Sequence, residues 1–458
     1  MGNKKMNRSE KLRQGNTPIN LMRSPHRILN HLDLIQKKVW IGEKYGLVLS
    51  DQTPTDVVET NLQKVADLLA HACSFEECCT SILDTLDSVG LHYEVDEFER
   101  DLWEALRVGL LEYHITDCCD LACPHCFYGS TGEGASISLS EFSKLKLLEP
   151  KAMVITGGGE PTIYCNGKHK FAEAIEEIRT NVPGVQLGLQ TNGTVVPKGS
   201  WSANFVYTRS SVDADNAQTF VDIKSKPFFE KVVANLVTFA NTSIPFIGIG
   251  FLFEKQNIDQ IPSFIRKFHA LIKVEAPAAL QNFTIQFRPL GPDINILNGV
   301  RDGHTAYPPG ATAEQIDNLK QDIALMRAEN PELADFMDNN TNLDSVFLGN
   351  SGHEMVDFKR CYVSLAYRMI RASGNNFPCF ILVQHERMCL GNFFGKDPKG
   401  DKDAYLSIAL CGYHFFNCRT EYCNACYCRQ STVNQIAEMG ISGRTAMPQG
   451  EMARIYFF

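Results

Sequence analysis

Four cysteines fall within one short stretch of this chain, Asp117-Cys118-Cys119-Asp120-Leu121-Ala122-Cys123-Pro124-His125-Cys126-Phe127-Tyr128. Cys119, Cys123 and Cys126 have the spacing C-x3-C-x2-C. Three thiolates on one loop can wrap a [4Fe-4S] cube and leave its fourth iron open, because full ligation takes four cysteines. An open iron can bind a substrate or a cofactor. The loop also permits zinc, held by three thiolates and His125, and Cys118 is an alternative first ligand. A second signal follows at Ile155-Thr156-Gly157-Gly158-Gly159-Glu160-Pro161-Thr162. Glycines there let backbone groups approach a ligand closely, and Glu160 can hold a cation or an amine; a plain turn is the bland reading.

Sixteen cysteines in a chain without an export signal point to metal ligation or redox chemistry rather than disulfides. Eight of them lie towards the C-terminus, at Cys361, Cys379, Cys389, Cys411, Cys418, Cys423, Cys426 and Cys428. Cys73, Cys78, Cys79 and Cys165 are scattered. Two metal sites are therefore expected, with buried structural cysteines as the other reading of Cys389 and Cys411.

The elements that must position these residues follow from periodicity. Residues 1–35 lack a sustained pattern and read as a mobile arm. In 36–110, Val39-Trp40-Ile41 and Gly46 to Leu49 read as strands. Helices follow from Asp56, from the capping box at Ser74 and Glu77, and from Asp96. From Leu111 apolar strands alternate with helices: Leu111 to Thr116, Ala152 to Thr156, Val185 to Gln190, Phe205 to Ser210, Phe246 to Phe253 and Phe283 to Arg288. Six such units predict an α/β fold, a parallel sheet curved into a partial (β/α)6 barrel over 111–335, with its site at the C-terminal strand ends. A helix from Ala313 to Arg327 leads to Asn339-Asn340-Thr341-Asn342, read as a linker. Residues 336–458 then form a cysteine-rich domain in which metal substitutes for a missing core.

Composition narrows the function. The chain of 458 residues has 44 basic and 53 acidic side chains, a net charge of −9, with no general attraction for nucleic acid or anionic lipid. Its longest strongly apolar run, Ile244 to Phe253, is about half of the ~20 residues a membrane-spanning helix needs. A cytoplasmic location, no nucleic acid and no membrane partner are expected; oligomeric state is not legible.

The cysteine loop followed by Gly158-Gly159-Glu160-Pro161 resembles the radical S-adenosylmethionine (SAM) superfamily, over about residues 111–290. The resemblance implies a [4Fe-4S] cluster on Cys119, Cys123 and Cys126 that chelates SAM and, once reduced, cleaves it to a 5'-deoxyadenosyl radical that abstracts a substrate hydrogen. It assigns Gly158, Gly159 and Glu160 to the SAM amino group, and Ser211 in Ser211-Val212-Asp213-Ala214 to its carboxylate. Asn192 in Thr191-Asn192-Gly193-Thr194 matches a further family motif, and Asn257 is a candidate for the ribose or a satisfied loop residue. The family's carboxylate-binding arginine near 224–227 is replaced by Lys224 or Lys226, and His125 stands where a ring residue is usual. Cys165 could give a hydrogen atom to a product radical or pack in the core. Arg288 could bind an anionic substrate group or pair with an acid of the barrel.

The spacing of Cys361, Gly374 and Cys379 resembles SPASM and twitch domains, which implies one or two auxiliary [4Fe-4S] clusters, with Cys418, Cys423, Cys426 and Cys428 as further ligands. Residues 36–110 resemble the winged-helix element of radical SAM peptide maturases, which recruits a leader peptide by strand addition. Together these imply a maturase that crosslinks, epimerises or oxidises a ribosomal peptide, with a flavodoxin or ferredoxin as electron donor. The alternative is the same chemistry on a small molecule such as a sugar or aminocyclitol. A cluster-bearing binding or electron-transfer protein that does not cleave SAM is the third reading.

Overall fold

The apolar runs of the middle of the chain form strands, and amphipathic helices cover them. The computed structural model describes residues 30–126, 128, 129, 132–289, 312–343, 360–395, 402–417 and 428–443. The strands are β1 (Leu110–His114), β2 (Ala152–Thr156), a hairpin of β3 (Cys165–Asn166) and β4 (His169–Lys170), then β5 (Gln186–Thr191), β6 (Phe205–Ser211), β7 (Phe246–Phe253) and β8 (Phe283–Pro289). Leaving out the hairpin, these pair in the order β1-β2-β5-β6-β7-β8, every neighbour parallel. This is the expected run of six strands, and it brings their C-terminal ends to one edge.

The sheet extends beyond these six. β9 (Tyr367–Ile370) pairs parallel with β1, and β10 (Asn375–Phe377) and β11 (Gly391–Asn392) follow antiparallel, giving a mixed sheet of nine strands. The cysteine-rich region therefore joins the central sheet instead of standing apart. Its stretch from Tyr362 to Ile370, apolar but for Ser364 and Arg368, supplies the reason, since all of its residues are buried.

The N-terminal region departs most from the sequence expectation. Val39-Trp40-Ile41 lie inside helix α1 (Leu32–Lys44), whose buried residues include Leu32, Ile35, Lys38, Val39 and Ile41, the spacing of one helical face. Gly46 to Leu49 form a turn, where the amides of Leu47 and Val48 both donate to the Gly42 carbonyl at 2.7 and 3.0 Å. With α2 (Thr55–Leu69), α3 (Phe75–Asp87) and α4 (Val95–Leu106), the described part of this region is all helical. The winged-helix α+β module thus loses both of its strands, and the first described helical residues, from 30 on, fall within the segment expected to be a mobile arm. The capping box does form: Ser74 Oγ accepts from Glu77 N at 3.2 Å and Glu77 returns the bond to Ser74 N at 2.7 Å.

Helices α5 (Phe171–Asn181), α6 (Ala217–Lys224), α7 (Phe229–Ala240) and α8 (Ile261–Glu275) connect the central strands. After α9 (Ala313–Glu329) comes α10 (Pro331–Asn340), and the Asn-rich linker is overturned. Asn340 is buried and donates to the carbonyls of Gln281 and Phe283, while the Asn342 amide pairs with both backbone groups of Phe287, at 2.7 and 2.8 Å. These side chains satisfy the outer edge of β8 as another strand would. Helix α11 (Tyr362–Ala366), the largely buried α12 (Lys402–Asn417) and α13 (Cys428–Ile441) complete the described chain, and α12 packs on α2 and α4. The proposed boundary at 336 is therefore not a gap between independent cores: one hydrophobic cluster runs through α1–α4, the sheet and α12.

Candidate functional site

Each functional loop leaves the C-terminal end of a neighbouring strand. The cysteine loop follows β1, Gly157 to Pro161 follows β2, Thr191 to Thr194 closes β5, and Ser211 to Asp213 closes β6. Two contacts lock the second loop under the first: Gly159 N donates to Thr116 O at 2.9 Å and Glu160 N to Cys118 O at 2.7 Å. The approach demands glycine. A Cβ on Gly159 would lie 1.9 Å from Cys118 O, and one on Gly158 would lie 1.8 Å from Asp117 Oδ1.

Glu160 is buried and ties three loops together. Its Oε1 accepts from Thr162 N at 2.9 Å, from Thr162 Oγ1 at 2.5 Å and from Thr191 Oγ1 at 2.6 Å, while Oε2 accepts from Asn192 N at 2.6 Å. Burial pushes its carboxyl above the usual range, against the pull of these four donors. Asn192 Nδ2 in turn lies 3.9 Å from Cys119 Sγ and donates to Asp120 Oδ1 at 2.8 Å, and Thr194 Oγ1 donates to Asp120 Oδ2 at 2.6 Å. Asp120, which sequence reasoning passed over, thus anchors the cysteine loop to the end of β5. Its place between Cys119 and Cys123 was the available signal.

Cys119, Cys123 and Cys126 are half-buried and outside any disulfide. Burial pushes the Cys119 thiol up to about 12 and raises Cys123 as well, where Lys224 counters it. Three half-buried thiols on one loop are the donor type that an iron-sulfur cluster takes. Cys118 points elsewhere, its Sγ 3.2 Å from Gly134 O. Among the described residues, no three His, Cys, Asp or Glu side chains are gathered around a single metal-ion position.

Lys224 ends α6 and is buried against Asp213, whose Oδ1 accepts from Leu252 N at 2.6 Å. Burial opposes its charge, yet Asp213 and then Cys123 hold the ammonium above its ordinary pKa. The same ammonium, after burial, lowers His125. Asn257 is fully buried, its amide donating to Asp213 O at 2.9 Å and Leu252 O at 2.8 Å while its Oδ1 accepts from Glu254 N. It joins the ends of β6 and β7, with both its amide nitrogen and its oxygen bonded to backbone.

Cys165 answers neither expectation. It is exposed on the β3–β4 hairpin, with Lys170 Nζ 2.8 Å from its Sγ. Its neighbour Tyr164 is the residue that turns inward, onto Phe142, which packs against Tyr113 of β1. Side chains alternate along a strand, so the hairpin lies on the side opposite Glu112 and His114.

Cys361 and Cys379 are half-buried, and Cys411 is buried in α12. Asn434 of α13 reaches Cys361, with Nδ2 3.9 Å from its Sγ and Oδ1 accepting from Val363 N at 3.2 Å. Cys418, Cys423 and Cys426 lie outside the described residues, and Cys428 is placed only as the first residue of α13. No described helix is long and apolar enough to cross a membrane.

Several known proteins resemble parts of this chain. The chain is 26% identical over 178 residues, 37% of its length, to the mycofactocin maturase MftC of Mycolicibacterium smegmatis, covering 43% of that protein. It is 27% identical over 142 residues, 28% of its length, to a GTP 3',8-cyclase of Paenarthrobacter nicotinovorans, covering 39% of it. The chain thus spans less than half the length of either curated relative. A crystal structure of Streptococcus suis SuiB bound to S-adenosylmethionine superposes with a TM-score of 0.42 and 14% identity, over 69% of this chain and 70% of that one. Residues 113–268 match the radical SAM superfamily model, from β1 into α8. Residues 113–268 are therefore similar to the radical SAM superfamily, and they lie within an α/β fold.

Proposed function

We propose that the chain modifies a ribosomally made peptide by radical SAM chemistry, with Cys119, Cys123 and Cys126 as cluster ligands. The observation that carries the ligand assignment is the network of Glu160, Asn192 and Asp120, which fixes the cysteine loop against the loops after β2 and β5. When bound, the reduced cluster and SAM supply a 5'-deoxyadenosyl radical. The protein's part is placement. Gly158 and Gly159 hold the loop after β2 against the cysteine loop, Ser211 lies half-exposed at the end of β6 for the SAM carboxylate, and Lys224 brings positive charge beside Cys123. Glu160 positions the loops through its four donors.

Support for a peptide substrate comes from the likeness to the mycofactocin maturase. The likeness to a GTP cyclase supports the second reading, a small molecule. Cys361 and Cys379 are proposed as auxiliary-cluster ligands, with Cys418, Cys423, Cys426 and Cys428. Asn434 supports this, because it contacts Cys361 from under two turns beyond Cys428 on α13.

The deciding experiment incubates the anaerobically reconstituted enzyme with SAM, a reductant and a fully deuterated extract of the producing organism, split into peptide and metabolite fractions. Deuterium in 5'-deoxyadenosine from the peptide fraction is expected. Enrichment from the metabolite fraction alone would overturn the peptide reading. No 5'-deoxyadenosine at all would overturn the radical mechanism.

A further inference from the structure

Side chains alternate along β1, so Leu110, Glu112 and His114 share one face while Leu111 and Tyr113 take the other. From that face Glu112 reaches two segments far apart in the chain. Its Oε2 accepts from the Tyr367 hydroxyl of β9, 255 residues away, which pairing with β1 brings alongside. Its Oε1 lies 3.3 Å from His114 Nε2 and accepts from Tyr128 Oη at 3.4 Å. The second contact is long for two oxygens, but the Tyr128 ring also stands edge-on to His114, with centroids 4.8 Å apart. Tyr128 comes two residues after Cys126, so Glu112 bridges the end of the cysteine loop to β9. The start of that loop has its own link to the same strand. Arg371, directly after β9, places Nη2 3.6 Å from Asp117 Oδ1.

The charge on Glu112 makes the bridge directional. Burial alone would raise its carboxyl, but His114, then Tyr367 and Tyr128, hold it below the ordinary range. Burial pushes both phenols well up, so they keep their protons and donate. Hydrogen bonds to a carboxylate are stronger than those between neutral groups, and a mostly buried carboxylate that loses a donor keeps its desolvation cost. The anion is therefore best satisfied when Tyr367 and Tyr128 are both seated. The cysteine spacing by itself asks for neither contact.

We propose that Glu112 is a positioning residue that fixes the end of the cysteine loop through Tyr128, with Tyr367 of β9 as its second partner. The C-terminal region then completes the seat of this loop, whatever its own cysteines bind. The inference deepens the reading of Cys126 as a cluster ligand and rests on it in one respect: the carboxylate also sets a negative charge near the cluster, which disfavours the added electron.

The test has two arms. In the first, the full-length chain before reconstitution is alkylated with iodoacetamide, and mass spectrometry follows Cys126, which is half-buried, against Cys411, which is buried in α12. Glu112→Gln keeps the shape of the side chain, but its amide nitrogen cannot accept from a phenol. Cys126 is expected to react severalfold faster in Glu112→Gln and in Tyr367→Phe, with Cys411 unchanged. The double variant should react no faster than Glu112→Gln alone, because Tyr367 acts through the carboxylate. Wild-type rates at Cys126, additive effects of the two substitutions, or an equal acceleration at Cys411 would overturn the bridge. In the second arm, the reduction potential of the reconstituted cluster is read by paramagnetic resonance and should shift positive in Glu112→Gln. An unmoved potential would overturn the placing of this charge beside the cluster. If the wild type takes up no iron, the ligand assignment of Cys126 fails, and the alkylation rates still decide whether Glu112 holds the loop.

Discussion

Removing the Lys224 ammonium should destabilise the protein by about 3–5 kcal/mol, the usual cost of breaking a buried ion pair from one side. Lys224 and Asp213 are 4% and 0% exposed. In Lys224→Met, Asp213 Oδ1 keeps its bond from Leu252 N, but Oδ2 loses its partner inside the fold. The charge then stays buried with one backbone donor. Asp213→Asn alone leaves the ammonium unpaired, while the double variant removes both charges together. The double-mutant cycle should therefore show a coupling of about 2–3 kcal/mol, because the double variant bears only an unsatisfied amide. Urea unfolding followed by circular dichroism measures all four corners under anaerobic conditions. A second readout comes from Cys123, whose thiol Lys224 holds down against burial. Lys224→Met should push that thiol further up and slow iron and sulfide uptake at neutral pH. A single-variant loss below about 1 kcal/mol, or a coupling near zero, would refute the buried pair.

Three other perturbations test separate parts of the structure. Gly159→Ala places a methyl group 1.9 Å from Cys118 O, and backbone cannot yield there without moving the cysteine loop. 5'-Deoxyadenosine formation should fall at least tenfold with the circular dichroism spectrum intact, and wild-type turnover would refute the close packing. Asn342→Ala strips two hydrogen bonds from the β8 edge and should cost about 1–3 kcal/mol in urea unfolding. An unchanged midpoint would show that water replaces the side chain freely. His414 on α12 has its pKa lowered by burial, so the unfolded chain takes up its proton first as the pH falls. Its contribution to stability is complete above the unfolded value near 6.5 and declines as the pH falls towards the folded one. His414→Phe should flatten the dependence of the urea midpoint between pH 7 and 5. The remaining slope belongs in part to His269 and His385, which burial lowers in the same direction. An identical slope would refute the burial of a neutral imidazole.

The cysteine loop and the Gly-Gly-Glu-Pro stretch were legible because their chemistry is local. Ligand spacing on a short loop and the need for a missing Cβ are written in consecutive residues. The six parallel strands were legible for a related reason: each is an apolar run followed by a helical repeat, and parallel order follows from the connection. The misreadings share the opposite cause. Val39-Trp40-Ile41 has strand-like composition, but its buried partners Leu32 and Ile35 stand at helical spacing and prevail. Asn340 and Asn342 have loop propensity, yet their amides are spent on an exposed strand edge.

By itself the sequence determined which thiols share one short loop, where the glycines must be, and that strands would alternate with helices. Tertiary structure decided what no local pattern encodes. The pairing of β9 with β1 joins residues separated by most of the chain, so the cysteine-rich region entered the central sheet. Asp120 found Asn192 and Thr194 only once β5 lay near β1, and Lys224 found Asp213 only through the turn of α6. Burial and charge acquire meaning at such sites only when distant segments exclude water from the same place.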